Sequence, residues 1–181
     1  MDDFMAALER AVRSMHVGDP LDDATEMGPV ISADQLEKVA SYVPDDAPVA
    51  IKGQAPDGPG YWFPPTVLAP VSNSDRAAAE EIFGPVACVI PFDGEREAIE
   101  IANDTIYGLS GSIWTQDGAR ALRVARAMET GVISINSNTS VRVPTPFGGF
   151  KQSGVGRELG PNALDAYTEL KNVYYATEES D

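Results

Sequence analysis

The sequence is poor in the residues that most often carry nucleophilic or metal chemistry. Its 181 residues include one cysteine and one histidine. A single cysteine excludes an internal disulfide, which suits a reducing compartment. A zinc site needs three or four nitrogen, sulfur or oxygen ligands, and the sequence shows no cluster of that kind. We therefore predict a cytoplasmic protein without a metal site.

Basic residues are also scarce. Lysine and arginine together number 13 against 28 acidic residues, which gives a formal net charge of -15. Such a charge repels nucleic acids and anionic membranes. No run approaches the roughly 18 apolar residues of a membrane helix, and the first residues lack the basic region of a signal peptide. Nucleic acid and membrane are therefore not expected as partners.

The single cysteine and the single histidine both have ordinary structural explanations. Cys88 lies in the apolar stretch V-A-C-V-I-P-F, with no basic neighbour in sequence to lower its pKa. Buried cysteines commonly behave as small apolar side chains, so a structural role is expected. His16 follows an amphipathic helix, where a positive charge favours the helix end. A Cys88–His16 dyad is the remote alternative.

Local patterns predict alternating helices and strands over most of the chain. Apolar residues at helical spacing predict a helix over 3–15, and Ser32 is a candidate N-cap for a second helix that ends near Tyr42. Pro64 and Pro65 make the run 61–68 an edge or irregular strand. The other predicted helices cover 77–82, 96–103, 117–128 and 161–165, and the other predicted strands cover 47–52, 86–92, 110–114, 132–135 and 168–177.

The regular second half indicates an open parallel-sheet α/β fold. Apolar strands that alternate with helices of about ten residues are typical of βαβ units. The loop Asn136–Gly160 then follows the carboxyl end of a strand, where open α/β sheets bind ligands. Its part Pro144–Gly160 holds five glycines, two prolines and two phenylalanines. We interpret it as a ligand loop, and a glycine-rich linker is the alternative.

Two further stretches invite a nucleotide interpretation. Gly154-Val155-Gly156 begins like a dinucleotide fingerprint, but Leu159 takes the place of the third glycine and no long helix follows, so that motif fails. The carboxylates of Glu80-Glu81 could accept hydrogen bonds from the hydroxyls of a ribose, and Phe83 could flank a flat ring. A solvated surface pair is the alternative for these glutamates.

Ordered blocks of residues along the chain resemble the NAD(P)-dependent aldehyde dehydrogenases. They are Glu80-Glu81-Ile82-Phe83-Gly84-Pro85, Ala102-Asn103-Asp104-Thr105 with Tyr107-Gly108, Gly131 to Asn136, and Pro146-Phe147-Gly148-Gly149-Phe150-Lys151 with Ser153 to Glu158. Several blocks in the right order are far more specific than one motif. The resemblance extends over essentially the whole chain.

The resemblance implies the C-terminal part of such an enzyme's catalytic domain. Residues 1–166 would belong to the partial catalytic domain, and 167–181 would form an oligomerisation strand and an acidic tail. The family oxidises an aldehyde to a carboxylate through a cysteine thioester, and its nucleophile precedes the Glu-Glu-Ile-Phe-Gly-Pro block. Cys88 follows that block. The resemblance thus implies no catalytic residue in this chain and no turnover by the chain alone.

Roles in binding NAD or NADP are implied for four residues. Glu81 resembles the glutamate that holds the nicotinamide ribose, and Phe83 resembles the aromatic beside the nicotinamide. Gln35 and Lys38, on the second helix, resemble residues that contact the ribose and adenosine side. The choice between NAD and NADP would fall to residues outside this sequence.

Roles in the aldehyde pocket and in assembly are implied for four more residues. Phe147 matches an aromatic wall of the pocket, and Val141 replaces a second aromatic, which predicts a wider pocket. Arg157 and Glu169 resemble an ion pair between the glycine-rich loop and the last strand, which in the family contacts another subunit. A homo-oligomer is therefore expected. The alternative is a non-catalytic protein that keeps only the oligomerisation or binding role.

Overall fold

The computed structural model describes residues 1–139 and 141–177, and the chain divides into two compact units. The first unit covers Met1–Gly94 and the second covers Glu95–Asp181. Each contains helices and a sheet with a parallel strand pair, so the predicted α/β class with parallel strands is confirmed. Within the described residues, no helix is both long and apolar enough to span a bilayer.

The first unit contains three helices and a three-stranded sheet. The helices are α1 (Asp2–Ser14), α2 (Ala33–Ala40) and α3 (Arg76–Ala79), and the strands are β1 (Val49–Lys52), β2 (Thr66–Leu68) and β3 (Val86–Cys88). The strand order is β1-β2-β3. β1 is antiparallel to β2, whereas β2 and β3 are parallel. The sheet is therefore mixed, with one antiparallel and one parallel pairing.

The sequence predicts an edge or irregular strand over 61–68, and of these two alternatives the edge position is wrong. The paired residues are only Thr66–Leu68, and this strand lies in the middle of the sheet with all three residues buried. Pro64 and Pro65 precede the paired residues, so neither proline removes a donor from the ladder. β3 is also shorter than predicted, because Cys88 pairs with Leu68 and β2 ends there.

Helices α1 and α2 form where the local pattern predicts them. Val12 of α1 is buried with Ile51 and Val67, and Leu8 packs against this cluster. The Ser32 hydroxyl caps α2 by accepting a hydrogen bond from the Gln35 amide at 3.1 Å. The predicted N-cap of α2 is thereby confirmed.

A second core cluster fixes α2 against the segment before β3. It contains Val39, Tyr42 and Ile82, with Phe63, Ala77 and Val86 packed around it. Val39 is completely buried. α2 is therefore a rigid support for the residues that follow α3.

The second unit contains the βαβ unit predicted from the sequence. Its helices are α4 (Gly94–Asn103) and α5 (Gly118–Ala127), and its strands are β4 (Ser110–Ile113) and β5 (Val132–Ile135). β4 and β5 are parallel and α5 connects them. Asp117 caps α5 by accepting from the amides of Ala119 and Arg120. These bonds, that from Arg120 foremost, lower the pKa of the Asp117 carboxyl.

The chain after β5 contains two 3-10 helices, Lys151–Ser153 and Pro161–Tyr167. The loop Asn136–Gly160 therefore follows the carboxyl end of a parallel strand, as predicted. Residues 168–177 form no strand with any described residue, and all of them are exposed. The strand predicted over 168–177 is thus not formed within this chain, because an extended segment becomes a strand only when another strand pairs with it.

Candidate functional site

Two grooves in the first unit meet at the segment between α3 and β3. One groove, of about 500 Å³, is lined in part by Glu81, Phe83 and Cys88, and we call it the Glu81 groove. The other, of about 680 Å³, is lined in part by Gln35, Lys38 and Phe83, and we call it the Gln35 groove. Phe83 thus lies at the boundary of both. The four residues predicted to bind a cofactor all line one or both grooves.

The two adjacent glutamates have different surroundings. Glu80 accepts a hydrogen bond from the Tyr42 hydroxyl at 2.7 Å and pairs with Arg76 at 3.3 Å. The hydrogen bond from Tyr42, helped by the charge of Arg76, lowers the pKa of the Glu80 carboxyl. The Arg76 guanidinium also stacks on the Tyr42 ring, 4.0 Å from its centroid. Glu80 is therefore part of the structural support of this segment.

The carboxylate of Glu81 remains available to a ligand. It is exposed and makes no hydrogen bond or ion pair with any side chain that the structure describes. Only its backbone carbonyl is engaged, by the Lys38 ammonium at 3.4 Å. A free carboxylate at a groove is a good acceptor for neighbouring hydroxyl groups. The structure thus separates the glutamate pair into one structural and one available member.

Phe83 has an uncommon conformation for an aromatic residue. Its φ is 55°, in the left-handed region that favours glycine, and its side chain is 72% exposed. Such a conformation costs on the order of 1–3 kcal/mol and persists only when the surrounding structure imposes it. An exposed ring recovers little of that cost by burial. The ring is therefore displayed at the grooves instead of being used to fill the core.

Gln35 and Lys38 both hold this segment from α2. The Gln35 amide nitrogen donates to the carbonyl oxygens of Ile82 and Phe83, each at 2.9 Å. Gln35 is half-buried and Lys38 is exposed. The sequence predicted that both face a ligand, and they do line the Gln35 groove. Their attachment to the carbonyls of residues 81–83 was not predicted.

Cys88 has the surroundings of a structural thiol. It is half-buried on β3, and burial, followed by the nearby charge of Asp75, raises the pKa of the thiol. A raised pKa lowers the thiolate fraction at neutral pH, and the thiolate is the nucleophilic form. Among the described residues, no group of three or more His, Cys, Asp or Glu side chains could hold a metal ion.

The glycine-rich loop in the second unit is held by backbone contacts at the start of β4 and β5. The Gly108 carbonyl accepts from the amides of both Gly131 and Phe150, and the Ser153 hydroxyl accepts from the Gly108 amide at 2.9 Å. The Gly148 carbonyl lies directly over Gly131, where an alanine Cβ would collide with it. The loop therefore requires a glycine at position 131, directly before β5.

Phe147 lies in this loop in a defined position. Its amide and carbonyl both bond to Glu158, at 2.7 and 2.8 Å, and close an antiparallel bridge. Phe147 is half-buried, and Val141, earlier in the same loop, is 55% exposed. The predicted pocket residues of the second unit therefore share one loop after β5.

The predicted Arg157–Glu169 ion pair is absent from the described chain. The Arg157 guanidinium donates instead to the carbonyls of Gly149 and Gly156, at 2.9 and 2.6 Å, and lies over the Phe150 ring. Its partners are thus within the glycine-rich loop, and Glu169 lies in the exposed segment 168–177. Arg157 stabilises the loop itself.

Sequence reasoning also missed Lys151, a second anchor of the loop. Its ammonium donates to the carbonyls of Asn103 and Thr105, at 2.6 and 3.1 Å, and pairs with Glu129 at 2.7 Å. The carbonyls belong to the end of α4 and the residues after it, where a positive charge is favourable. The sequence signal was a charged side chain directly after the run Gly148-Gly149-Phe150.

Comparison with known proteins identifies relatives over nearly the whole chain. A sequence model described as the aldehyde dehydrogenase family matches residues 1–173. A betaine aldehyde dehydrogenase of Rhizobium johnstonii is 45% identical over 180 residues, which are 96% of this chain and 37% of that protein. A geranial dehydrogenase of Castellaniella defragrans is also 45% identical, with the same two coverages. The chain therefore spans a little over a third of the length of these proteins.

Solved structures match the fold at similar identity. An aldehyde dehydrogenase mutant from Bacillus cereus superposes with a TM-score of 0.88 at 40% identity and covers 94% of this chain and 35% of that chain. A betaine aldehyde dehydrogenase from Staphylococcus aureus, in complex with NAD+, gives a TM-score of 0.85 at 41% identity and covers 92% of this chain and 34% of that chain.

Proposed function

The chain belongs to the aldehyde dehydrogenase family, and on that premise we propose that it is part of an NAD-dependent enzyme that oxidises an aldehyde to a carboxylate. In this proposal the first unit contributes contacts to the cofactor and the second unit contributes a wall of the aldehyde pocket. The reactive cysteine lies outside these 181 residues. A cytoplasmic location, suggested by the single cysteine, is part of the same proposal.

The surroundings of Glu81 and Phe83 carry the proposal. A free carboxylate and an exposed ring, two residues apart, stand on a backbone that α2 holds in an uncommon conformation. The carboxylate accepts hydrogen bonds from the two hydroxyls of a ribose, and the ring flanks the flat nicotinamide. Lys38 and the free amide oxygen of Gln35 face the rest of the cofactor across the Gln35 groove. NAD, when bound, supplies the acceptor of the hydride.

Replacing Glu81 by glutamine tests the role of its carboxylate. Charged hydrogen bonds contribute about 1.5–3 kcal/mol, so the dissociation constant for NAD should rise at least about tenfold. The measurement is a titration of NAD into chain labelled with 15N-phenylalanine, followed at the Phe83 amide signal.

Glu80→Gln is the matched control for this titration. It removes the same charge one residue away, from a carboxylate that Tyr42 and Arg76 already occupy. NAD affinity should change by less than about threefold, since this carboxylate contacts no ligand in the proposal. A Phe83 signal that NAD does not move, or equal weakening by the two variants, would contradict the proposed cofactor contact.

In the second unit, Phe147 and Val141 are proposed to line the aldehyde pocket. Both belong to the loop that follows β5, and the bridge to Glu158 fixes the backbone of Phe147. Valine is smaller than the aromatic residue of several family members, so the pocket is proposed to be wider on this side. The substrate class is a small aldehyde, as the names of the relatives suggest.

The segment 168–177 is proposed to pair with another copy of the chain, as an oligomerisation strand within residues 167–181. Leu170, Val173 and Tyr175 are almost fully exposed, which is unusual for apolar side chains so close together. An extended segment with unpaired backbone N–H and C=O groups can satisfy them by pairing with a strand of another chain. This observation also favours the second candidate function, in which the chain serves only in oligomerisation or binding.

Light scattering coupled to size exclusion tests this assembly. The wild-type chain should elute as a dimer or larger species, and a variant with Val173→Asp and Tyr175→Asp should elute as a monomer, because these two side chains share one face of a strand and charges there oppose its burial. Asp substitutions at the exposed Ile31 and Leu21 are the matched control and should leave the assembly unchanged. A wild-type chain that is monomeric at all concentrations would refute the proposal.

A further inference from the structure

The strained backbone of Phe83 requires a specific support. Its φ of 55° would relax in a free segment, since a bulky side chain disfavours the left-handed region. On one side the chain is fixed by Ile82, which is buried against Val39 and Tyr42. On the other side Gly84 lies so close to Val39 that an added Cβ would collide with it. These contacts fix the flanking residues but leave the peptide carbonyls of the segment unsatisfied.

Side chains of α2 satisfy those carbonyls. A primary amide has two N–H donors, and Gln35 uses them on the carbonyls of Ile82 and Phe83. One turn later, Lys38 approaches the carbonyl of Glu81 at 3.4 Å. Three consecutive carbonyls therefore face donors from one helix. We call this arrangement the α2 clamp.

The clamp begins from a fixed position. The backbone N–H of Gln35 donates to the Ser32 hydroxyl that caps α2. Val39, one turn later, is completely buried. The Gln35 side chain therefore projects from a helix that cannot shift without opening the core. Two hydrogen bonds from such a base restrict both peptide planes of the segment, which a single bond could not do.

We propose that Gln35 is a positioning residue, which holds Phe83 in its left-handed conformation and so presents Glu81 and the Phe83 ring before any cofactor arrives. The use of the α2 clamp in cofactor binding rests on the proposed cofactor role of Glu81 and Phe83. The hydrogen bonds of the clamp are present in the chain without ligand. Gln35 then acts on the cofactor chiefly through its neighbours, because both of its donors are engaged and only its amide oxygen is left.

The proposal predicts a local loss of order when the donors are removed. Gln35→Glu keeps the shape of the side chain but turns an oxygen towards two carbonyl oxygens. The Phe83 amide order parameter should fall from about 0.85, typical of rigid backbone, to below about 0.6. The sequence has six phenylalanines, so chain labelled with 15N-phenylalanine gives six amide signals, and the other five serve as internal references.

Three further variants make this measurement decisive. Gln35→Lys retains donors and should keep Phe83 rigid, and Gln54→Glu adds the same charge at an exposed position of the first unit and should change none of the signals. Gln35→Leu removes the donors without placing a charge beside the carbonyls, and it replaces Gln35→Glu if that variant does not fold. A Phe83 amide that stays rigid without the donors, or six signals that lose order together, would overturn the proposal.

The same spectra separate this proposal from the proposed function. If Phe83 loses order in Gln35→Glu but NAD fails to move the wild-type signal, the clamp stands and the cofactor role fails. If NAD binds and Phe83 stays rigid in the variant, the cofactor role stands and the clamp is wrong. When both hold, the apparent dissociation constant for NAD in Gln35→Glu should rise severalfold, because only part of the population presents the bound conformation.

Discussion

Gly131→Ala should destabilise the second unit by roughly 2–3 kcal/mol, as overpacking of a close contact does. The new Cβ would collide with the Gly148 carbonyl oxygen and lie 2.8 Å from its carbon and 3.3 Å from the Gly149 Cα. All of these are backbone atoms, so the clash cannot be relieved by a change of side-chain rotamer. Gly131 cannot withdraw either, because its amide is bonded to the Gly108 carbonyl at 3.0 Å.

The two tryptophans allow the effect to be assigned to one unit. Trp62 lies in the first unit and Trp114 in the second. In a Trp62→Phe background, the fluorescence of Trp114 during urea unfolding reports on the second unit. The midpoint should move to lower urea in Gly131→Ala, by an amount that corresponds to the lost free energy of unfolding.

Gly118→Ala provides the matched control. No atom lies within 4 Å of the position of its added Cβ, and the residue begins α5. Alanine favours the helix by up to about 1 kcal/mol over glycine, so this variant should be neutral or stabilising. Equal midpoints for Gly131→Ala and the parent chain would show that the loop does not depend on the close approach of Gly148 to Gly131.

No NADH should form when the 181-residue chain is incubated with NAD and betaine aldehyde. The reaction of the family requires a thiolate, and the one cysteine of this sequence is a half-buried thiol on β3 whose pKa is raised by burial. No basic side chain contributes to the shift of its pKa. The measurement is the absorbance of NADH at neutral pH, with the betaine aldehyde dehydrogenase of Rhizobium johnstonii as the positive control.

A Cys88→Ser variant makes the turnover experiment informative in either direction. If the chain produced NADH steadily and the serine variant did not, Cys88 would be the nucleophile and the proposed division of roles would be wrong. If both produce none, the thiol has no catalytic role in this chain. Serine is close to cysteine in size, so the variant should fold with only a small loss of stability.

Much of the secondary structure was predictable because the signals were local. The Ser32 cap, the apolar spacing of α1, and the succession β4–α5–β5 each depend on residues within about ten positions of one another. The position of the glycine-rich loop followed from that succession. The blocks from Glu80 to Glu158 that resemble the aldehyde dehydrogenases could be recognised for the same reason, since each is a short run of neighbouring residues.

Sequence patterns carried least information where the answer depended on a partner distant in sequence. The edge position predicted for β2 was wrong, since only the pairing with β1 and β3 decides which strand is central. The strand predicted over 168–177 finds no partner within the described chain. The guanidinium of Arg157 found carbonyl acceptors in its own loop instead of Glu169.

The sequence by itself determined the family, the α/β class and the absence of a second thiol. Only the tertiary structure showed that the Glu80 carboxylate is bonded to Tyr42 and Arg76 while that of Glu81 is available to a ligand. It also showed that the Gln35 side chain donates to the Phe83 carbonyl. Those contacts join residues 38 and 48 positions apart. Hydrogen bonds over such separations are set by how helices and strands pack, and short-range patterns of sequence carry no record of them.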